Sequence, residues 1–217
     1  MVFKILSRAS LLLGLPLLGL FITGSSLKPY LAFPPENGNV HHAPFSWAAF
    51  ILFAVFIAGI LIPFLGRILK VSTRKWGRCK HRPFPWWGWL GLLMGLLFWL
   101  LAWTRFSWFK PLQLHTFTPL WLSFIVVMNG LNYRRSGRCL MLNRPVFFLS
   151  LFPASAAFWW FFEYLNRFVE NWSYVQVPPG GWDYFWRATV SFSTVLAAVL
   201  SAQEWIIEME WVRRGFQ

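Results

Sequence analysis

Apolar runs long enough to cross a lipid bilayer alternate with short connections rich in Lys and Arg. Of the 217 residues, 57% are hydrophobic and only 12% are charged, whereas a soluble domain carries about 25% charged residues. A membrane-spanning helix needs about 20 mostly apolar residues. The pattern predicts an all-α, polytopic membrane protein with a single transmembrane helical domain over residues 1–217. We expect a bundle of about six transmembrane helices, at approximately 10–27, 45–66, 86–103, 117–133, 146–165 and 187–207.

The distribution of Lys and Arg predicts the orientation of these spans. With the N-terminus inside, the inner segments hold 15 of the 20 basic residues, and residues 67–85 alone hold seven. Because basic residues collect on the cytoplasmic side, both termini are expected there, in a multi-pass protein of a bacterial-type cytoplasmic (inner) membrane.

The same basic residues indicate the partners. The net charge of +13 falls between apolar runs rather than along one soluble face, which argues against nucleic acid. Membrane lipids are the predicted partners, with anionic headgroups at the basic cytoplasmic loops. A protein partner or a homo-oligomer remains open.

Two features of the chain leave alternatives open. Lys4 and Arg8 precede an apolar run, which suits either an uncleaved first helix, the reading we expect, or a cleaved signal peptide. Gly-Arg-Cys occurs at 77–79 and again at 137–139, each time followed by Arg-Pro. This recurrence indicates either a duplicated pair of helices or a shared basic loop composition. Both cysteines fall in loops expected in the reducing cytoplasm, so no disulfide is predicted.

The segment from Phe158 to Tyr174 carries the candidate site. Five consecutive aromatic residues precede Glu163, and helical spacing places Glu163, Asn166 and Arg167 on one face. Ionisable residues within or close to a membrane-spanning segment are candidate functional residues. Glu163 and Arg167 are therefore the predicted catalytic residues, or else an ion pair that caps a helix at the outer interface. The predicted ligand-binding residues are Trp159, Trp160, Asn166, Trp172 and Tyr174.

The aromatic content indicates the kind of ligand. Sixteen Trp residues exceed what the interfacial belts of a membrane protein need, and indole rings suit flat apolar ligands. The predicted function is to bind or process a lipid, isoprenoid or quinone-like ligand around Glu163. The alternatives are a non-catalytic structural or assembly subunit and a small transporter or channel. The sequence leaves the reaction open and specifies no cofactor.

Other polar residues have weaker functional readings. Glu204 and Glu208 share a helix face and either hold a proton or a cation or mark the inner interface. Asn129 and Asn132 are expected to hydrogen-bond between helices. The remaining candidate ligands lack the spacing of a metal site, so none is predicted; they are His41, His42 and His115 with Glu36, Glu170 and Asp183, and Cys79 with His81 and Cys139.

Residues 163–174 resemble a segment of short polytopic carotenoid-cyclising membrane proteins, in which an acidic residue is followed by Trp-x-Tyr before a proline-containing loop. Here the matching residues are Glu163, Trp172 and Tyr174. The paired acids that those proteins carry after a proline are absent, and Pro35-Glu36-Asn37 is the nearest match. The likeness covers this one segment, and we assign no family from it.

Overall fold

A computed structural model describes residues 2–34, 44–72, 82–174, 181–209 and 211–212. Within those residues every regular element is a helix, as the sequence predicts. The α-helices are α1 Val2–Ile22, α2 Lys28–Leu31, α3 Trp47–Ser72, α4 Trp86–Trp103, α5 Phe117–Ser136, α6 Leu140–Asn143, α7 Pro145–Val169, α8 Gly181–Ser193 and α9 Val195–Ile207, and a 3₁₀ helix covers Ser107–His115.

Four helical segments in the described chain are long and apolar enough to cross a membrane, which suggests a membrane protein. They are Trp47–Val71, Trp86–Trp103, Pro145–Val169 and Gly181–Ile207. The 3₁₀ helix and α5, bent by 66° at their junction, make a fifth candidate. In α1 the apolar part, Ser10–Ile22, is shorter. The predicted count of six and the orientation of the termini therefore remain predictions.

Several helices begin or end at residues other than those expected from the sequence. The first helix was expected to reach residue 27 but ends at Ile22, and Gly24 just after it has a φ of +69°. The second continues past residue 66 to Ser72, so Arg67 and Lys70 lie within the helix. The last was expected to start at 187, whereas α8 begins at Gly181. By contrast α4 occupies 86–103 as expected, because Pro85 stands at its N-cap.

The contacts divide the chain into two compact units, one of Met1–His41 with Pro153–Ser193 and the other of His42–Phe152 with Thr194–Gln217. The core of the second unit contains Ile125, Phe148, Leu151, Ala197 and Ala198. The small side chains of Ala197 and Ala198 allow α9 to pack closely against the neighbouring helices of this core, as is common between membrane helices. The single domain expected from the sequence remains a prediction.

Candidate functional site

Glu163 is a buried carboxylate in the first unit, with 8% of its surface exposed. Its Oε1 accepts hydrogen bonds from the indole N–H of Trp172 at 3.0 Å and from the hydroxyl of Tyr174 at 2.6 Å. Its Oε2 accepts a longer bond of 3.4 Å from the hydroxyl of Tyr184. The carboxylate is thus held by neutral donors on aromatic side chains, the closest of which has the short distance of a charge-assisted bond.

Asn166 brings Trp172 back to Glu163 after the end of α7. Its Nδ2 donates to the carbonyl of Trp172 at 2.8 Å, and its Oδ1 accepts from the backbone N–H groups of Asn171 at 2.9 Å and Trp172 at 3.2 Å. Glu170, at the reversal, has a φ of +48°, a conformation uncommon outside glycine. Asn166 therefore positions Trp172, another predicted site residue, and both the nitrogen and the oxygen of its side-chain amide are used in doing so.

Arg167 serves a different part of the first unit. Its guanidinium donates to the carbonyl oxygens of Tyr30 at 2.6 Å and Ala32 at 3.1 Å. The ion pair between Glu163 and Arg167, one of the two interpretations of the sequence, is not formed. In the described part of the chain the only ion pair joins Arg187 to Asp183 at 2.9 Å.

Trp159 and Trp160 pack on α8. The ring of Trp159 stacks on Phe192 with centroids 5.9 Å apart, and its indole N–H has no partner among the described residues. The ring of Trp160 stacks on Phe185 at 5.0 Å, and its N–H donates to the Thr189 hydroxyl at 2.8 Å. Of the predicted ligand-binding residues, Trp172 and Tyr174 contact the carboxylate, whereas these two tryptophans support the surrounding aromatic wall.

Sequence reasoning missed Tyr184, which completes the contacts of Glu163. The residue was placed in a loop because the last span was expected to start at Arg187. Tyr184 and Ala188, four residues apart, are the buried residues of α8. This i, i+4 spacing is the signal that extends the helix back by six residues, from 187 to Gly181.

Burial raises the pKa of Tyr174 above its ordinary value of 10.0, and the hydrogen bond to Glu163 raises it further. Ionising this phenol would create a negative charge in a buried site beside the Glu163 carboxylate. Tyr174 therefore remains a hydrogen-bond donor throughout the neutral pH range.

A second polar cluster lies in the other unit, between α5, α6 and α9. Asn129 Nδ2 donates to the Ser201 hydroxyl at 2.9 Å, and Asn132 Nδ2 donates to Glu204 Oε2 at 2.9 Å. These bonds confirm the interhelical role expected of both asparagines. Asn129 Oδ1 and Glu204 Oε2 also accept the first backbone N–H groups of α6, from Met141 at 3.0 Å and Leu140 at 3.2 Å.

Two acceptor atoms of this cluster are buried without a partner in the described residues, Asn132 Oδ1 and Glu208 Oε2. The described hydrogen bonds include none between Glu204 and Glu208. The cluster joins three helices and accepts hydrogen bonds from the first backbone N–H groups of α6. These are structural roles.

The sequence-derived metal candidates are only partly within the described residues. Glu36, His41, His42, Cys79 and His81 lie outside them. His115 is exposed, and Cys139 is buried with a pKa raised by that burial. In the described ranges no three His, Cys, Asp or Glu side chains are grouped to hold a metal ion.

The fold and the site define a class: over the residues that the structure describes, the protein is helical, with four or five apolar segments of membrane-spanning length and a buried carboxylate held by aromatic donors. No protein-family model, curated protein or solved structure matches the chain.

Proposed function

We propose that the protein is a multi-pass protein of a bacterial-type cytoplasmic membrane that binds or processes an apolar or amphiphilic ligand at Glu163. The ligand class is a lipid, an isoprenoid or a quinone-like molecule. One observation carries the proposal: a buried carboxylate is held by aromatic N–H and O–H donors, while the nearest basic residue of its own helix, Arg167, bonds elsewhere.

The energetics of burial support a functional carboxylate. Removing an ionised carboxylate from water costs several kcal/mol even after relaxation, and a purely structural site would recover more of that cost with a cation than with neutral donors. Arg167 stands one turn away and is engaged with the carbonyls of Tyr30 and Ala32. The Glu163 carboxylate thus retains acceptor capacity for a ligand hydroxyl, a ligand cation or a proton.

The aromatic surroundings support an apolar ligand. Phe192 lies near both Trp159 and Tyr174, with ring centroids 5.9 Å apart for Trp159 and Phe192 and 6.4 Å apart for Tyr174 and Phe192. Ligand pockets combine such apolar walls with a few polar groups that fix orientation. In this arrangement Glu163 fixes the polar end of the ligand, and the rings hold its apolar part.

The test is ligand retention after gentle purification. Wild-type protein in mild detergent is analysed by lipid mass spectrometry and absorption spectroscopy, beside Glu163→Gln and the matched control Glu170→Gln, whose side chain is exposed. We expect a stoichiometric apolar ligand in the wild type and the control, and at least a tenfold loss in Glu163→Gln. Equal retention in all three proteins would remove Glu163 from the site.

The proposed membrane topology includes six spans with both termini cytoplasmic, and it is tested separately. Single cysteines replace Lys75, Arg138 or Arg105 in a background lacking Cys79 and Cys139. A membrane-impermeant maleimide added to intact cells should label only Arg105→Cys, and broken cells should label all three. Labelling of Lys75→Cys and Arg138→Cys from opposite sides of the membrane would overturn the topology.

The alternative function is that of a structural or assembly subunit, and α3 favours it. No residue in the most apolar stretch of the Trp47–Val71 segment is buried within the protein, and large side chains such as Phe50, Phe53 and Phe56 are exposed. A stoichiometric protein or a second copy that remains bound after purification would favour this alternative. A bound small molecule in a monomer would favour the Glu163 site.

A further inference from the structure

An apolar groove of about 460 Å³ lies between α4 and α5 in the second unit. Its walls run from Trp86 to Phe98 on α4 and from Pro119 to Val126 on α5. A helix rises about 1.5 Å per residue, so the α4 wall is about 18 Å long. The groove is therefore apolar and long enough to suit an extended hydrocarbon chain.

The two helices approach each other closely at Gly91, one of the residues that line the groove. A Cβ added at Gly91 would lie only 2.6 Å from Cγ1 of Val126. Glycine at this position allows α4 and α5 to touch, and the bulkier side chains of Leu90 and Met94 also line the groove. Tight backbone packing at small residues is typical of membrane helices.

A guanidinium group lies beside the Trp87 end of this groove. Trp87 lines the groove, and its ring centroid lies 6.2 Å from that of Tyr133. The Arg82 guanidinium lies over the Tyr133 ring, 5.8 Å from its centroid. Gly137, with a φ of +76°, leaves room for Arg82, because a Cβ there would lie 2.6 Å from the guanidinium carbon. Arg82 is thus held at a defined place by aromatic and backbone contacts.

The positive charge at this end is not neutralised by the described protein. The backbone N–H of Arg82 donates to the carbonyl of Arg134 at 2.8 Å, so the main chain of a second basic residue, with an exposed side chain, lies beside Arg82. Among the residues that the structure describes, no carboxylate pairs with Arg82, Arg134 or Arg138. Guanidinium groups match phosphate oxygens in geometry and charge.

We propose that this groove binds an acyl chain of an anionic phospholipid whose phosphate is held by Arg82 and Arg134. The sequence places this end of α4 and α5 on the cytoplasmic side, where the membrane surface is negative. The site uses other residues, in another unit, than the Glu163 site. It rests on the membrane assignment of the proposed function and is independent of the ligand at Glu163.

The headgroup contact is tested by native mass spectrometry with phosphatidylglycerol and phosphatidylcholine of identical acyl chains. The wild type should bind phosphatidylglycerol more tightly. Arg82→Gln should weaken that binding about fivefold, because one basic residue at an anionic surface contributes about 1 kcal/mol. Phosphatidylcholine carries the same phosphate beside a choline cation, so its weaker binding should fall by less. Arg105→Gln, an exposed arginine in another loop, is the matched control and should behave as the wild type. Equal affinities for the two lipids in the wild type would overturn the proposal.

The chain contact is tested in the unaltered protein with a phosphatidylglycerol that carries a photoreactive diazirine on its acyl chain. Crosslinks should fall within 86–98 or 119–126, and crosslinks confined to other helices would overturn the groove as the binding place. Met94→Trp, which narrows the groove, should weaken the binding of both lipids. The control Leu93→Trp, at a side chain 60% exposed and outside the lining, should not.

Glu163→Gln separates this proposal from the proposed function. The variant should bind phosphatidylglycerol with wild-type affinity even where it loses the ligand of the first unit. Loss of phosphatidylglycerol binding in Glu163→Gln, with the helical circular dichroism signal intact, would contradict an independent groove site. Retained binding together with unchanged ligand content would count against the Glu163 site alone.

Discussion

Arg167 lies one helical turn after Glu163 in α7, yet its guanidinium donates to the carbonyl oxygens of Tyr30 and Ala32 and not to the carboxylate. The two charges therefore have different roles in the same unit. Arg167 joins α7 to the α2 region, and Tyr164 does the same for α1, because its hydroxyl donates to the Leu13 carbonyl at 2.6 Å. Glu163 keeps its own set of neutral donors.

The first prediction concerns stability. Arg167→Gln should lower the free energy of unfolding by about 1–3 kcal/mol, since it removes a charged donor from two carbonyl groups. Arg187→Gln, which breaks the exposed ion pair with Asp183, should cost no more than about 1 kcal/mol. Thermal melts in detergent measure both, and equal shifts would show that the Tyr30 and Ala32 contacts contribute little.

The second prediction concerns pH. The folded-state pKa of Tyr174 is raised above its unfolded value of 10.0, first by burial and then by Glu163. The folded state then holds this proton more tightly, so the contribution is fully present below about pH 10 and is lost as pH rises above it. Thermal melts between pH 8 and pH 11 should fall less steeply for Tyr174→Phe than for the wild type. Identical slopes would mean that Tyr174 ionises normally, provided that return to pH 8 restores the folded signal.

The third prediction separates positioning from binding. Asn166→Ala should lose the ligand as Glu163→Gln does, because Trp172 is no longer drawn back to the carboxylate. Asn166→Asp keeps an acceptor for the backbone N–H groups of Asn171 and Trp172 and should recover part of the ligand. Ligand content per protein, measured by mass spectrometry, distinguishes them. Equal loss in both variants would contradict a role through accepted hydrogen bonds.

The fourth prediction concerns the polar cluster of the second unit. Asn129→Ala leaves the Ser201 hydroxyl and the Met141 N–H without their partner, and each buried unsatisfied group costs about 1–3 kcal/mol. A large fall in melting temperature is expected. Gln203→Ala removes an exposed amide from α9 and should have little effect. Similar melting temperatures for the two variants would show that water replaces the Asn129 bonds.

The sequence predicted what depends on local pattern. The helical class follows from the apolar runs, and the ends of α4 follow from Pro85 and the aromatic start of the helix. The interhelical bonds of Asn129 and Asn132 follow from the cost of an unpaired amide among apolar side chains. Glu163 is a predicted site residue because an ionisable residue at the end of an apolar span is a candidate functional residue.

Long-range pairing was beyond the local pattern. The i, i+4 rule favoured an ion pair between Glu163 and Arg167, but Arg167 bonds to residues 137 and 135 positions away. No sequence periodicity indicates that α2 comes to α7. Tyr184 was missed for a related reason, since its partner Glu163 lies in another helix. The groove between α4 and α5 likewise depends on which glycine faces which valine.

Most contacts of the buried carboxylate come from nearby in the chain. Trp172 and Tyr174 are 9 and 11 residues from Glu163, and Asn166 closes the reversal between them. Closing so short a loop costs little entropy and takes well under a microsecond. We expect these contacts to form once the chain has been synthesised through Tyr174, before α8 supplies Tyr184, so that the later helices fold around a preformed nucleus.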